Sequence, residues 1–256
     1  MSVLSIKQLS KSFPAGMNTI EALRSINVDV KQGEFVSIVG ASGCGKTTFL
    51  RLLNGLERPS GGSISVGTRS SNQPMAFVFQ QDALMPWRTI AQNVQFGLEV
   101  QDTPRDLMNQ RVLAVLKTVG LTGFEQHYPY QLSGGMRQRA NLARALAVGA
   151  EILLMDEPFS ALDAQTREIM QEELTRVCSE TNKTVLLVTH QIDEAVYLSD
   201  RVLVFTTRPG RLKEEVPITL PRPRTLEIKR TPEFVRLVGR IWSLIEDEVK
   251  SSLQQT

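Results

Sequence analysis

Four short apolar runs without polar alternation mark out the chain. They cover residues 35–39, 75–79, 152–155 and 184–189 and are rich in Val, Ile, Leu and Phe. Runs of this kind predict strands that are buried on both faces of a parallel sheet. A polar or Gly-rich element follows each run directly, and in open α/β sheets ligands bind beyond the carboxyl ends of the strands. We therefore expect the four strand ends to line one site.

Other parts of the chain show different periodicities. Residues 3–13 and 25–34 alternate apolar and polar positions, and residues 60–67 form a further turn-bounded segment, which predicts an antiparallel edge region. Between residues 86 and 148 the pattern is helical. One helix is expected to begin at Thr103-Pro104 and to end near Gly120, with a stripe of Val112, Leu113, Leu116 and Val119. A last helix is expected from Thr231-Pro232-Glu233, with Phe234, Leu237, Val238, Ile241, Leu244 and Ile245 on one stripe.

Composition narrows the class of protein. The 256 residues, of which 41% are hydrophobic and 22% charged, suit one large domain or two closely packed ones and disfavour disordered, collagen-like and coiled-coil chains. A net charge of +2 does not support a nucleic-acid surface, so no nucleic-acid partner is expected. Cys44 and Cys178 form no disulfide framework or metal-binding spacing, which favours a reducing cytosol. Without an apolar run of about 18 residues, the chain is not expected to cross a membrane.

A Gly-rich loop follows the first apolar run. Residues 40–47 match the P-loop pattern of Gly, four residues, then Gly-Lys-Thr, between a predicted strand and a predicted helix. Glycines let the backbone curl so that amides point at phosphate oxygens, and the helix N-terminus adds partial positive charge. Lys46 supplies a full charge to the β- and γ-phosphates, and Thr47 a hydroxyl to magnesium. The expected phosphate-binding residues are Gly40, Ala41, Ser42, Gly43, Cys44, Gly45, Lys46, Thr47 and Thr48, with a packing role for the Cys44 side chain.

The other strand ends carry groups suited to phosphate chemistry. Asp156 ends the third run, where such a carboxylate holds Mg²⁺ in P-loop nucleotidases. Glu157 points in a different direction and is expected to orient or deprotonate the attacking water. His190 follows the fourth run and is expected to contact the γ-phosphate, and the Gln80 amide is expected to contact Mg²⁺ and the water. The expected catalytic set is thus Lys46, Gln80, Glu157 and His190, with Thr47, Gln80 and Asp156 as metal ligands.

A second Gly-containing helix start decides the family. Residues 132–139 have the sequence LSGGMRQR, so that a Ser-Gly-Gly turn opens a helix with free amides and implies a second phosphate-binding helix end. Together with the P-loop, Gln80, the Asp156-Glu157 pair, the turn at residues 160–163 and His190, all in family order, this sequence resembles the ATP-binding cassette (ABC) family. The resemblance spans about residues 3–225.

The resemblance implies how ATP is bound and hydrolysed. In that family two copies pair head to tail, so that Ser133, Gly134 and Gly135 would bind the γ-phosphate held by the other copy, and Asp163 would couple the two sites. The second copy would be the same chain or a close relative. Phe13 would stack on adenine, or it is a core residue. ATP binding would close the dimer and hydrolysis would reopen it.

The same resemblance implies the fold and its division. The expected fold is α/β: a P-loop nucleotide-binding core with a mostly parallel sheet, an antiparallel β edge region and a helical subdomain insertion. We expect the core in residues 1–85 and 149–220, the helical subdomain with the signature in residues 86–148, and a C-terminal connector and helix in residues 221–256.

Transport would require separate membrane chains. The expected contact with transmembrane permease subunits is the apolar segment 83–88, around Leu84, Met85 and Trp87, although the segment could equally be buried inside the helical subdomain. A solute-binding protein would take part indirectly, and the chain would lie at the cytoplasmic face of the membrane, attached through the permease. The runs VFQQDALMPWRT, LSGGMRQR, TTRPGR and LPRPR look most like the ATPase subunits of bacterial importers for nitrate, sulfonates and taurine.

Other readings of the motifs stay open. A P-loop kinase would not need the LSGG helix, a chromosome-maintenance ATPase would carry long heptads, and a nonenzymatic binding module would not need Glu157 and His190 together. A soluble ABC-type ATPase outside transport shares every motif. The basic group Arg208, Arg211, Arg222 and Arg224 is most simply interpreted as a solvated face.

Overall fold

A computed structural model describes residues 2–16, 18–67, 75–81 and 83–253. Two compact units make up the chain, one formed by residues 1–70 and 182–256 and the other by residues 71–181. In chain order the strands and α-helices are β1 (Ser2–Ala15), β2 (Asn18–Lys31), β3 (Phe35–Val39), α1 (Lys46–Leu53), β4 (Gly61–Val66), β5 (Met75–Val78), α2 (Ile90–Val100), α3 (Arg105–Thr118), α4 (Gly134–Ala147), β6 (Ile152–Asp156), α5 (Ala164–Glu180), β7 (Thr184–Val188), α6 (Ile192–Leu198), β8 (Arg201–Phe205), β9 (Leu212–Pro217) and α7 (Pro232–Leu253).

The first unit contains both kinds of sheet that the sequence predicts. β1 pairs antiparallel with β2 on one side and β4 on the other. β3 pairs in parallel with β7 and β8, and β9 adds an antiparallel edge to β8. Every residue of β3 and β7 is buried, as expected for strands covered on both faces. The predicted combination of a mostly parallel core and an antiparallel β region is confirmed.

The basic group predicted as a solvated face is wrong at Arg224. Its side chain is 4% exposed, and the guanidinium donates to the carbonyls of Val196 (3.2 Å), Tyr197 (2.9 Å) and Ser199 (2.7 Å) at the end of α6, and to that of Leu220 (3.2 Å). Burial lowers the pKa of Arg224 to about 10, so the group stays charged at neutral pH. The carbonyls in the last turn of a helix have no donor within the helix, and Arg224 supplies donors to those of α6.

Replacing Arg224 with Met is expected to lower the free energy of unfolding by about 3 kcal/mol, because several buried carbonyls lose a charged donor at once. Chemical denaturation of the purified chain measures the change. Arg230→Met is the matched control: Arg230 is exposed, and its replacement is expected to change stability by no more than about 0.5 kcal/mol. Equal stabilities of the two variants would contradict the helix-capping role of Arg224.

The second unit joins a parallel strand pair to helices. β5 and β6 run in parallel with Val78 opposite Met155, and α2, α3 and α4 pack against one another as the predicted helical insertion. The sequence predicted Thr103 as the N-cap of α3 and Pro104 in its first turn. In the structure Pro104 is itself the N-cap, so the helix begins one residue later than predicted. The predicted apolar stripe is wrong at Leu113, which is 56% exposed because it lies off the buried face of α3. Among the described residues, no helix combines the length and the apolar character that a membrane span requires.

Candidate functional site

The Gly-rich loop lies between β3 and α1, and its shape depends on Gly45. This residue is the N-cap of α1 and has φ of 102°, in the left-handed region. A Cβ atom there would lie 2.7 Å from Leu23 Cδ2 and 2.9 Å from the Ala22 carbonyl oxygen, so only glycine fits. The backbone amides at the start of α1 and the partial positive charge of the helix end are groups suited to binding an anion, as the sequence predicts for this loop.

Lys46 supplies the charge of this loop. Its side chain is 8% exposed, and Nζ donates to the carbonyl oxygens of Gly40 at 2.7 Å and Ala41 at 3.0 Å. The ammonium is therefore held by the loop itself, and a phosphate would compete with these two carbonyls for it. Cys44 is buried beside it, with Sγ 3.8 Å from Nζ, and burial raises the pKa of the Cys44 thiol.

Residues after β8 also contact the same loop. Arg208 donates to the Gly43 carbonyl from Nε at 3.3 Å and from Nη2 at 3.2 Å. The backbone of Gly210 lies so close to the loop that a Cβ atom there would be 2.1 Å from the Cys44 carbonyl oxygen. Arg208 is exposed, in agreement with the predicted solvated face, but its contact with the loop was not predicted. The available signal was an Arg-Pro-Gly sequence that begins three residues after the buried end of β8.

Phe13 is half-buried on β1, opposite Ile20 of β2, which is 42% exposed. The ammonium of Lys11 lies 4.6 Å from the ring centroid and is fixed by the Glu57 carboxylate at 2.9 Å and the Arg58 carbonyl at 2.9 Å. One face of the Phe13 ring is therefore occupied by the Lys11 ammonium. The other face is left for stacking on a planar ring.

His190 lies exposed on a turn between β7 and α6. The buried Thr189 hydroxyl donates to Glu194 Oε2 at 2.5 Å and accepts the Gln191 N–H at 3.0 Å. Both bonds span the turn that carries His190. The backbone at His190 is therefore fixed while its imidazole is open to solvent, which suits a group that reaches a bound phosphate.

The two strand ends of the second unit meet as predicted. Asp156 ends β6 and is 3% exposed, and Glu157 follows with φ of 47°, a left-handed conformation that is uncommon for a residue with a Cβ. Gln80, two residues beyond β5, donates from Nε2 to Glu157 Oε2 at 3.0 Å. Strained backbone of this kind persists where the surroundings impose it and is concentrated at functional sites.

The signature helix α4 begins in the same unit. The Ser133 hydroxyl accepts the Met136 N–H at 3.2 Å as N-cap. A Cβ atom at Gly135 would lie 3.2 Å from Leu162 Cδ2, so the helix start contacts the turn at residues 160–163. Asp163, the last residue of that turn, caps α5 by accepting the Thr166 N–H at 3.0 Å, and hydrogen bonds from Thr166 lower the pKa of the Asp163 carboxyl.

Two polar residues of α4 that sequence reasoning missed hold the Gln80 segment. Asn141 is fully buried and donates from Nδ2 to the Phe79 carbonyl at 3.0 Å. Arg144 donates to the Ala83 carbonyl at 2.6 Å and to Asn141 Oδ1 at 2.9 Å. Their signal was a pair of polar residues, three apart, in an alanine-rich helix.

The segment proposed for partner contact is partly exposed. Trp87 is 74% exposed, whereas Leu84 and Met85 are half-buried. Burial of the whole segment within the helical unit is therefore wrong for Trp87. The Met85 N–H donates to Asn93 Oδ1 at 2.7 Å, and Asn93 on α2 is buried, so the segment is tied to the helices below it.

The predicted site residues divide between the two units. The first unit carries Phe13, the loop at residues 40–48 and His190, and the second carries Gln80, residues 133–135, Asp156, Glu157 and Asp163. Within the units, the structure joins Lys46 to Gly40 and Ala41, and Gln80 to Glu157.

Comparison with known proteins gives consistent matches. The family profile described as ABC transporter matches residues 23–160, more than half of the chain. An ABC transporter ATP-binding protein of Methanocaldococcus jannaschii is 49% identical over 98% of this chain and 94% of its own length. A nitrate import ATP-binding protein of Synechocystis is 43% identical over 94% of both chains.

Two further relatives are named for related solutes. An aliphatic sulfonates import ATP-binding protein of Bacillus licheniformis is 39% identical over 98% of both chains, and a taurine import ATP-binding protein of Yersinia pestis is 43% identical over 84% of this chain and 87% of its own length. Among solved structures, a dimeric ATP-binding cassette in a post-hydrolysis state with ADP and Pi has a TM-score of 0.78 at 33% identity, covering 85% of this chain and all of its own.

Proposed function

Because the chain belongs to the ABC transporter family and is an ATPase of that family, we propose that it is the ATP-hydrolysing subunit of a membrane importer. The proposed solute is a small compound of the nitrate, sulfonate and taurine group, since relatives named for each of these cover most of the chain. The observation that supports the proposal is the loop at residues 40–47, where a left-handed Gly45 caps α1 and Lys46 is buried beside the helix start.

ATP binding would begin at this loop. The Lys46 ammonium would leave the carbonyls of Gly40 and Ala41 for the more strongly accepting oxygens of the β- and γ-phosphates. The amides at the start of α1 would point toward the same phosphates. Phe13 would stack on adenine with the ring face that Lys11 leaves uncovered. The charged groups suit the anionic triphosphate and the Phe13 ring suits the aromatic base, which are the two ends of a nucleoside triphosphate.

The Mg²⁺ that such hydrolysis uses fits the oxygen donors available. A hydroxyl (Thr47), a buried carboxylate at a strand end (Asp156) and an amide oxygen (Gln80) are the hard ligands that this ion prefers, and we assign them to it. Bound there, the ion would neutralise charge that develops on the phosphates.

Hydrolysis would depend on Glu157 and His190. Glu157, held by the Gln80 amide at 3.0 Å, would accept a proton from the attacking water. His190, exposed on its fixed turn, would donate a hydrogen bond to the γ-phosphate as charge builds there.

The working unit would be a head-to-tail dimer of this chain with a second copy or a close relative. Ser133, Gly134 and Gly135 would bind the γ-phosphate held by the partner, since the first amides of α4 form a helix start. Asp163 would couple the two sites from the neighbouring turn. The dimeric state of the structurally similar cassette with ADP and Pi supports this arrangement.

Transport would pass through separate permease subunits at the cytoplasmic face of the membrane. We assign the permease contact to the segment around Leu84, Met85 and Trp87, because the Trp87 ring is 74% exposed and large exposed aromatic side chains are favoured at protein contacts. A solute-binding protein would deliver the solute to the permease and would have no direct contact with this chain.

The test is reconstitution of the chain with the permease and solute-binding protein that its own genome encodes for it, in sealed vesicles. We expect ATP-dependent accumulation of nitrate, taurine or an alkanesulfonate, and loss of the accumulation when Trp87→Ala replaces the wild-type chain. ATP affinity of the variant is expected to match wild type. If the chain hydrolysed ATP but failed to assemble with any permease, the result would favour an ABC-type ATPase outside transport.

A further inference from the structure

Side chains from two parts of the first unit hold the phosphate loop. Lys46 binds the carbonyls of Gly40 and Ala41. Arg208, which is exposed, binds the carbonyl of Gly43. We propose that Arg208 is a positioning residue for the phosphate loop and that the C-terminal helix α7 holds Arg208 in place. The inference rests on the proposed binding of ATP at residues 40–47.

The segment that carries Arg208 contacts the loop through its backbone as well as through the guanidinium. Two nitrogens of Arg208 reach the same Gly43 oxygen, at 3.3 and 3.2 Å. Gly210 lies against Cys44, and its own N–H and carbonyl form bonds with Ala22 (2.9 Å) and Arg24 (3.0 Å). Those bonds fix the segment at residues 206–211 to β2, so that Arg208 approaches the loop from a fixed base.

A bond to the Gly43 carbonyl sets the direction of an amide. The peptide unit that joins Gly43 to Cys44 is planar, so the Gly43 C=O and the Cys44 N–H point in opposite directions. An arginine that holds the Gly43 carbonyl therefore also fixes the direction of the Cys44 N–H, which donates to the Ala41 carbonyl at 3.3 Å. Ala41 is one of the two residues whose carbonyls hold Lys46, so the bond from Arg208 would keep the loop in shape when the Lys46 ammonium moves to phosphate.

The C-terminal helix fixes the segment that carries Arg208. The Thr207 N–H donates to Glu248 Oε2 on α7 at 3.1 Å. The other oxygen of Glu248 pairs with Lys213 Nζ at 2.9 Å, and that ammonium also donates to the Leu244 carbonyl at 2.9 Å. Three further residues of α7, Phe234, Leu237 and Ile241, are buried and anchor the helix. A chain of contacts thus runs from α7 through Thr207 and Arg208 to the phosphate loop.

Titration calorimetry of the full chain with ATP and Mg²⁺ tests this chain of contacts. We expect Arg208→Ala to raise the Kd for ATP about 10-fold, in proportion to one charge-assisted hydrogen bond. Arg208→Lys, which keeps one donor, is expected to restore part of the affinity, and Glu248→Ala to raise the Kd about threefold. Arg211→Ala is the matched control, since Arg211 is an exposed arginine of the same segment, and its Kd is expected to stay within about twofold of wild type.

Hydrogen exchange separates positioning from a general structural effect. In Arg208→Ala and Glu248→Ala the amides of residues 43–46 are expected to exchange faster, while exchange in β3 and the melting temperature stay near wild type. A Kd within twofold of wild type in Arg208→Ala, with unchanged exchange, would overturn the role of Arg208. Weaker binding in Arg208→Ala but unchanged binding in Glu248→Ala would overturn the part assigned to α7. If Lys46→Ala also kept its ATP affinity, the proposed ATP site itself would be wrong.

Discussion

Replacing Glu157 with Gln is expected to lower ATP turnover about 100-fold or more while leaving ATP affinity near the wild-type value. General base catalysis by a positioned carboxylate contributes at least about this factor, and an amide cannot accept the proton from water. Gln keeps the size of Glu and can still accept the hydrogen bond that Gln80 donates at 3.0 Å. The strained backbone at residue 157, with φ of 47°, is unchanged by this substitution.

Phosphate release under saturating ATP and Mg²⁺, with calorimetric Kd values beside it, measures both parts of this expectation. Glu172→Gln is the matched control, because Glu172 is an exposed carboxylate on α5 of the same unit, and its turnover is expected to equal wild type. Turnover of Glu157→Gln within threefold of wild type would remove Glu157 from the role of base. A parallel loss of affinity would instead indicate a binding role.

Replacing Lys46 with Ala is expected to weaken ATP binding about 100-fold and to abolish measurable turnover. The ammonium is the one full positive charge within residues 40–48, and a charge-assisted bond to phosphate in a partly desolvated loop is stronger than one in water. The variant also leaves the Gly40 and Ala41 carbonyls without their donor, which adds a loosening of the loop to the loss of charge.

Calorimetry with ATP and Mg²⁺ measures the loss in Lys46→Ala, and circular dichroism establishes that the variant is folded. Lys31→Ala serves as control, because Lys31 is an exposed lysine at the end of β2 in the same unit. ATP affinity of Lys46→Ala within threefold of wild type would show that phosphate is bound elsewhere, and the assignment of residues 40–47 would fall.

The sequence predicted the parallel core well because each buried strand is a short apolar run with a polar end. The observed strands Phe35–Val39, Met75–Val78, Ile152–Asp156 and Thr184–Val188 agree with the apolar runs to within one residue. Period and composition suffice there, since strands covered on both faces are near-continuous apolar runs. The meeting of Gln80 with Glu157 followed from the same argument, because parallel neighbours end at the same edge.

Other features depend on distant contacts that no local pattern encodes. Arg224 is buried because α6 ends beside the connector that carries it. The sequence LPRPR would be equally compatible with an exposed connector, so it does not predict this burial. The left-handed backbone of Glu157 cannot be predicted from the residue type, since Glu has no preference for this conformation. The contact of Arg208 with Gly43 joins positions 165 residues apart, and only the fold brings them together.

The bonds from Asn141 and Arg144 link the signature helix to the Gln80 segment. Two described backbone groups of that segment, the carbonyls of Phe79 and Ala83, accept hydrogen bonds from α4, so a rotation of the helix would carry the segment with it or break these bonds. A displacement of the exposed Trp87 side chain would therefore be passed through Ala83 to α4. At 1.5 Å per residue, it would reach the opposite, amino-terminal tip of that helix about 15 Å away.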